Sequence, residues 1–357
     1  MQPSYTAVVD HMLEASIPVR QLRADHGAVA VIPHAGRVIA MAFSPDDFNL
    51  LWTHPQLAHT ELVQRPEHLS GGLGGDRLWF SPESTYHWDG APNWKTFENY
   101  AVPSATDPGA YRFVEDGPQR ISLSAAGELT PRSQSTQRIG FTISRTIRLV
   151  EPPLDPSDSA MSGVTYVGIE SSHHLRLTDS TRSGVIALWH LLQAPRGAVL
   201  VVPLERTAEQ RAREPLSYAL KGDWTSRADQ VRWRYGGEAN AKLGLSAAAV
   251  RGRSAVFHQL EPRRWCMVAR EFPVHPQARY ADHPYGVECA DQVFQAWDGY
   301  GFGEMEFHSP AIDAEHGPRE LSESDRLWAF GGAPEAISRL AAQVLGVDVD
   351  DIFAAPR

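Results

Sequence analysis

Three side chains in the last sixth of the chain could move protons together. Glu304, Glu306 and His308 alternate in Gly303-Glu-Met-Glu-Phe-His-Ser-Pro310, and residues two apart in an extended strand share a face. Two carboxylates on one face repel, which raises the proton affinity of at least one. An imidazole beside a carboxylate titrates near neutrality. A second stretch, Gly71-Gly-Leu-Gly-Gly-Asp-Arg-Leu-Trp-Phe-Ser-Pro-Glu83, supplies binding groups. Its glycines let the backbone turn sharply or approach a ligand, and Asp76, Arg77, Trp79 and Glu83 follow them. Arg77 offers a rigid donor fork to ligand oxygens, or else an internal ion pair. No Gly-Lys-Ser/Thr ending follows, so this is not a phosphate loop.

Other candidates have a bland reading beside the functional one. Lys242, in Ala241-Lys-Leu-Gly244, could contact a hydroxyl or a carboxylate, or lie on the surface. His173 and His174 are adjacent, so only one can face a cleft if the stretch is a strand; Glu170 and Ser172 share a face with His174. His87 with Trp88, and Asn93 with Trp94, form an aromatic loop that could cap a site. Trp297-Asp298-Gly-Tyr300 reads as a hairpin turn before the glutamate strand. Glu304, Glu306 and His308 with His190 would make a mixed metal site. No compact His-x-x-x-His or cysteine pair supports one, so neither metal nor cofactor is expected.

Strands must position these groups. Short apolar runs such as Ala28–Pro33, Val38–Phe43, Phe141–Val150, Thr165–Glu170, Val185–Leu192, Ala198–Pro203, Ser254–Gln259 and Trp265–Phe272 are separated by turn residues, among 28 glycines and 26 prolines. Many short strands with turn signals between them predict an all-β sandwich or barrel. Helix signals are few: Tyr5–Ala15, a polar Thr207–Glu214, and Pro334–Leu345. In the last, Ile337, Leu340, Ala341 and Val344 recur at helical spacing and Gly346 follows as a stop. No linker, repeat or low-complexity segment divides the chain, which reads as a single domain over residues 1–357.

Composition narrows the function classes. A formal charge of -10 argues against a nucleic-acid surface. No apolar run reaches the ~18 residues of a membrane span, and Met1 to Arg20 lacks the basic start and apolar stretch of a signal peptide. Cys266 and Cys289 are too few for a disulfide framework, so a cytoplasmic protein with reduced thiols is expected. Ten Trp and ten Tyr supply rings that can stack on the apolar faces of sugars, although core packing is their commoner use.

Taken in order, Gly36-Arg-Val-Ile39, Asn49-Leu-Leu-Trp52, Gly75-Asp-Arg-Leu-Trp79 with Pro82-Glu83, Val185-Ile-Ala-Leu-Trp-His-Leu-Leu-Gln-Ala-Pro195 and Gly303-Glu-Met-Glu-Phe-His-Ser-Pro310 resemble aldose 1-epimerase-like proteins of the galactose mutarotase-like superfamily. Poorly characterised relatives with a Gly-Gly-x-Arg-Leu-Trp-x-x-Pro-Glu signature are especially similar. The resemblance implies a large two-sheet antiparallel β-sandwich with a concave face and a short C-terminal helix. It also implies a small carbohydrate as partner, with Asp76, Arg77, Trp79, Glu83, His174, Lys242 and His308 as binding residues. For chemistry it implies a cofactor-independent epimerase: His190 protonates the ring oxygen and Glu306, or Glu304, takes the anomeric proton. The late glutamate stands one residue off the family's offset, and Trp189-His190-Leu-Leu replaces Asn-His-Ser/Thr-Tyr. A non-catalytic sugar-binding protein, and a sugar lyase or hydrolase using cleft carboxylates, are the alternatives.

Overall fold

The computed structural model describes residues 2–64, 72–91, 96–133, 136–205, 217–218, 222–238, 240–282 and 292–353. Gly71, Asn93, Trp94, Cys289 and the expected helix Thr207–Glu214 lie outside the described residues. The strands are, in chain order, Arg20–Ala24 (β1), Gly27–Ile32 (β2), Arg37–Ala42 (β3), Asp76–Ser81 (β4), Arg112–Asp116 (β5), Arg120–Leu129 (β6), Ile139–Leu149 (β7), Val164–Leu177 (β8), Val185–Pro195 (β9) and Val199–Pro203 (β10). There follow Ser217–Tyr218 (β11), Asp223–Ser226 (β12), Gln230–Arg234 (β13), Ala241–Ser246 (β14), Arg253–Glu261 (β15), Arg264–Glu271 (β16), Gln292–Gly299 (β17), Phe302–His308 (β18), Ile312–Asp313 (β19) and Glu320–Gly332 (β20).

They form two antiparallel sheets, as the alternation of short strands and turns predicts. The first runs β1-β2-β3-β4-β9-β18-β17-β14-β11, with β19 pairing β9; the second runs β12-β13-β10-β15-β16-β20-β8-β7-β6-β5. One core fills the space between them. Leu78 and Phe80 of β4, Leu188 and Leu192 of β9, and Met305 and Phe307 of β18 meet Ile143, Val167, Ile169, Leu175, Val256, Val268 and Leu327 of the second sheet.

Period-two alternation gives each of these strands a second face. Helix α1 (Tyr5–Glu14) covers one end of the first sheet's outer face, burying Tyr5, Val8, Val9 and Met12 against Ala28, Ala30, Ile39 and Ala40. The side chain of Ser4 accepts from Ala7 N–H at its start, satisfying one of the orphan donors of a helix N-terminus. The C-terminal helix, Pro334–Leu345, closes on the outer face of the second sheet through Ile337, Leu340, Ala341 and Val344. It begins on Pro334 and ends at Gly346 with φ 70°, a left-handed stop that suits glycine. No helix among the described residues is long and apolar enough to cross a membrane.

Candidate functional site

The outer face of the first sheet left open by α1 is where the polar side chains gather. Strands β4, β9, β18, β17 and β14 lie side by side there. With Leu78, Leu188, Leu192, Met305 and Phe307 committed to the core, alternation sends Arg77, Trp79, Trp189, Gln193, Glu304, Glu306 and His308 outward. All of these are nonetheless buried. Residues that follow β4, among them Glu83, His87 and Tyr100, and Asp282 pack over them.

Arg77 and Glu304 form one anchor. The guanidinium donates to Glu304 Oε1 at 2.6 Å and lies 4.0 Å from the centre of the Trp79 ring. Gln193 donates to the same carboxylate oxygen at 3.1 Å. Trp79 Nε1 donates to Asp107, which also accepts from Arg37, so the indole plane is fixed at its polar edge. His87 stacks on Trp79, with ring centres 5.4 Å apart. Burial pushes the His87 imidazole down to about 4, so it is a neutral ring at neutral pH.

Lys242 and Glu306 form the second anchor. The ammonium is 3.0 Å from Glu83 Oε2 and 3.4 Å from Glu306 Oε2, and 4.7 Å from the centre of the Trp189 ring. Trp189 Nε1 donates to Glu306 Oε2 at 2.8 Å. The other oxygen, Glu306 Oε1, is buried and has no hydrogen-bond partner among the described residues. Burial pushes the Glu306 carboxyl up, to about 8; Lys242 opposes this, while the nearby Glu304 and Glu83 add to it.

His308 completes the row. Its ring stacks on Trp189 at 5.7 Å, Nδ1 is 3.2 Å from Ser81 Oγ, and Nε2 is 3.8 Å from Asp282 Oδ2. Asp282 is held by Gln295, which donates to it at 2.7 Å, and by the Glu83 backbone N–H. Burial, and then the Lys242 charge, hold the His308 imidazole well below its ordinary range. The face thus presents a carboxyl inclined to be protonated about two strand residues from an imidazole inclined to be neutral. Strand geometry sets that step at ~7 Å.

Arg77, Trp79, Glu83, Lys242, Glu304, Glu306 and His308 come together as the sequence suggests. Three expected residues do not join them. His190 lies between Leu188 and Leu192 in register, so its side chain enters the sandwich interior and stacks on Phe307 at 3.9 Å. The expected pairing of His190 with Glu304 or Glu306 across one cleft fails on this alternation. Asp76 precedes Arg77 and therefore also points inward, where Arg145 donates to it at 2.8 Å and Arg270 also reaches it. His174 is exposed on the outer face of the second sheet, with Nδ1 2.9 Å from Ser322 Oγ; its neighbour His173 is the one facing inward. His87 packs over the face, in the place the aromatic-loop reading allows; Trp189, Gln193, Tyr100, Asp282 and Gln295 are residues of the face that the sequence reading missed. Trp189 and Gln193 are assigned to the outer face only once Leu188 and Leu192, and not Leu191, are known to be core.

The chain matches a family described as "Family of unknown function (DUF6786)" over residues 4–355. No curated protein matches it. Among solved structures it is similar to a galactose mutarotase-like protein from Lactobacillus casei, at 11% identity over 87% of this chain and 100% of that one, with TM-score 0.48. A galactose mutarotase related enzyme from Lactobacillus acidophilus gives 8% identity over 88% and 97%, with TM-score 0.46. The GalM/aldose epimerase homologue from C. elegans gives 10% identity over 89% and 99%, with TM-score 0.43. At such identities the side chains of a site are free to differ, so its chemistry is read from the residues present.

Proposed function

The chain belongs to a family of unknown function (DUF6786), and we propose from its own residues that it is a carbohydrate-active protein catalysing cofactor-independent proton transfer on a small sugar, in the manner of an aldose 1-epimerase. The observation that carries this is Glu306. Its Oε1 is buried without a hydrogen-bond partner among the described residues, while Trp189 and Lys242 hold its other oxygen. A carboxyl so restrained is an acid or base with one oxygen to offer.

The roles follow from the pKa directions and differ from those the resemblance implies. Below about 8 Glu306 is protonated and acts as general acid toward the ring oxygen. His308 is neutral and takes the anomeric hydroxyl proton. The C1–O5 bond breaks, the open-chain carbonyl turns, and both protons return as the ring closes on the other face. The two groups stand on one face of one strand, a backbone step of ~7 Å apart. Arg77 and Lys242 donate to hydroxyls.

The test is anomer interconversion across a panel of aldoses, by polarimetry or NMR exchange. Glu306→Gln is expected to lower the rate ~10²–10⁴-fold, the usual contribution of a general acid, with sugar binding retained. If the wild-type protein binds sugars but accelerates no anomer exchange, it is a binding protein and the catalytic reading fails. A second reading, a lyase or hydrolase, draws on the two carboxyl groups of Glu304 and Glu306 and requires cleavage products from a glycoside instead.

A further inference from the structure

The interior of the sandwich holds a second concentration of chemistry, unconnected with the face just described. Asp325 of β20, His173 of β8 and His190 of β9 are 3%, 3% and 1% exposed. One donor atom from each lies within 4.8 Å of the other two. His173 Nε2 is 3.0 Å from Asp325 Oδ1, and His190 Nδ1 is 3.7 Å from the same oxygen. Tetrahedral bonds of ~2.0–2.1 Å set neighbouring ligand atoms about 3.3 Å apart, between those two spacings. On the far side of the His190 ring, Nε2 is 3.2 Å from Glu323 Oε1. That is where a carboxylate stands when it accepts the free N–H of a metal-bound imidazole and fixes its tautomer.

A separate observation points to a missing ligand. His190 Nδ1, His173 Nδ1 and Glu323 Oε2 are buried with no hydrogen-bond partner among the described residues. An orphaned buried polar atom is costly, and of these His190 Nδ1 is the one that faces into the cluster. His190 Nδ1 faces Asp325 Oδ1 at a distance too long for a hydrogen bond. A cation between them satisfies both.

Charge permits the ion. Arg145 and Arg270 reach Asp76, and Arg270 Nη1 is 3.5 Å from Asp325 Oδ2. The two guanidinium groups and the carboxyl groups of Asp76, Glu323 and Asp325 surround the cluster, so an ion would enter a region that already holds groups of both signs. Two imidazoles and one carboxylate favour a zinc-class transition ion over magnesium or calcium.

We propose that His173, His190 and Asp325 bind a divalent transition-metal ion that ties the two sheets together from within, with Glu323 positioning His190. The protein is produced in zinc-supplemented medium, and separately stripped by unfolding with EDTA and refolded with Zn²⁺ or Co²⁺ alone. About one equivalent per chain is expected by elemental analysis, with a visible Co²⁺ band of a nitrogen and oxygen site. His190→Gln and Asp325→Asn should abolish the band, whereas Glu323→Gln should keep the site at ~10–100-fold lower affinity. Folded wild-type protein without metal or cobalt band overturns the proposal. So does binding undiminished in the His173→Gln/His190→Gln double variant, which assigns the ion to surface groups such as His316. If the ligand variants do not fold, wild-type melting decides: a rise with Zn²⁺ but not Mg²⁺ supports the site, and no rise overturns it.

Discussion

Glu306 owes its proposed role to where it is buried, and this makes a pH signature. Its carboxyl titrates near 8 in the fold against an ordinary value near 4.5. Between those values the folded chain holds a proton that the unfolded chain has released, so stability falls as pH rises through that window. Wild-type protein should therefore lose melting temperature from about pH 5 to about pH 8 more steeply than Glu306→Gln. Identical slopes would show that the carboxyl is not raised. The same proton should leave an alkaline limb near 8 in any rate that uses Glu306 as acid. Trp189→Phe removes a donor to the ionised carboxylate and should move that limb to higher pH, by about one unit or less. Arg77 was legible as a charged group beside glycines, but its partner was not. Its ion pair with Glu304 is buried, so Arg77→Ala strands a carboxylate and should cost about 3–5 kcal/mol. Arg77→Met with Glu304→Gln should recover most of it. Chemical denaturation of the single and the double variant measures this.

Strands and helices divide sharply in how far the sequence specifies them. The C-terminal helix is written locally: Pro334 at its start, apolar residues on one face, Gly346 at its end, and its bounds match the expectation. Gly346→Ala has room for its Cβ but keeps φ 70°, so it should cost about 1 kcal/mol through the left-handed backbone alone, read from urea midpoints. Strand β18 was legible for a different reason, since glutamates and a histidine alternate with Met305 and Phe307 and only one face can be the core. Strand β9 resisted the same treatment. Leucine and alanine occupy both of its faces, because one packs in the sandwich and the other lies under covering loops. With no polar–apolar contrast to set the phase, nothing in the strand itself tests the role that the resemblance gives His190. Gly303, next to Glu304, has Tyr235 ring atoms 2.2–2.4 Å from where a Cβ would stand. Gly303→Ala should therefore displace the ring whose hydroxyl donates to the Glu304 carbonyl, costing roughly 1–3 kcal/mol as overpacking does.

At the scale of the molecule, turn-punctuated apolar runs were enough to predict two antiparallel sheets, because burial on one face and short connections leave few other solutions. They said nothing about what crosses between the sheets. The contacts of Asp76 with Arg145 and Arg270, and of His190 with Glu323 and Asp325, join residues 69 to 194 positions apart, a separation at which no local pattern exists. The placement of Asp282 over the outer face, against Glu83 and Gln295, is equally invisible to a local pattern.

Strand β18 separates these two environments by the thickness of one backbone. Glu304, Glu306 and His308 look one way, and Met305 and Phe307, the latter against His190, look the other. Length along this segment is therefore a matter of parity. Adding or removing two residues moves each side chain along its own side, whereas adding or removing one interchanges the sides. Three ionisable groups would then be driven between the sheets and two apolar ones turned out beneath the loops. Changes of length in this hairpin belong at the tip, where Tyr300 at φ 51° and Gly301 at φ 88° already carry the reversal.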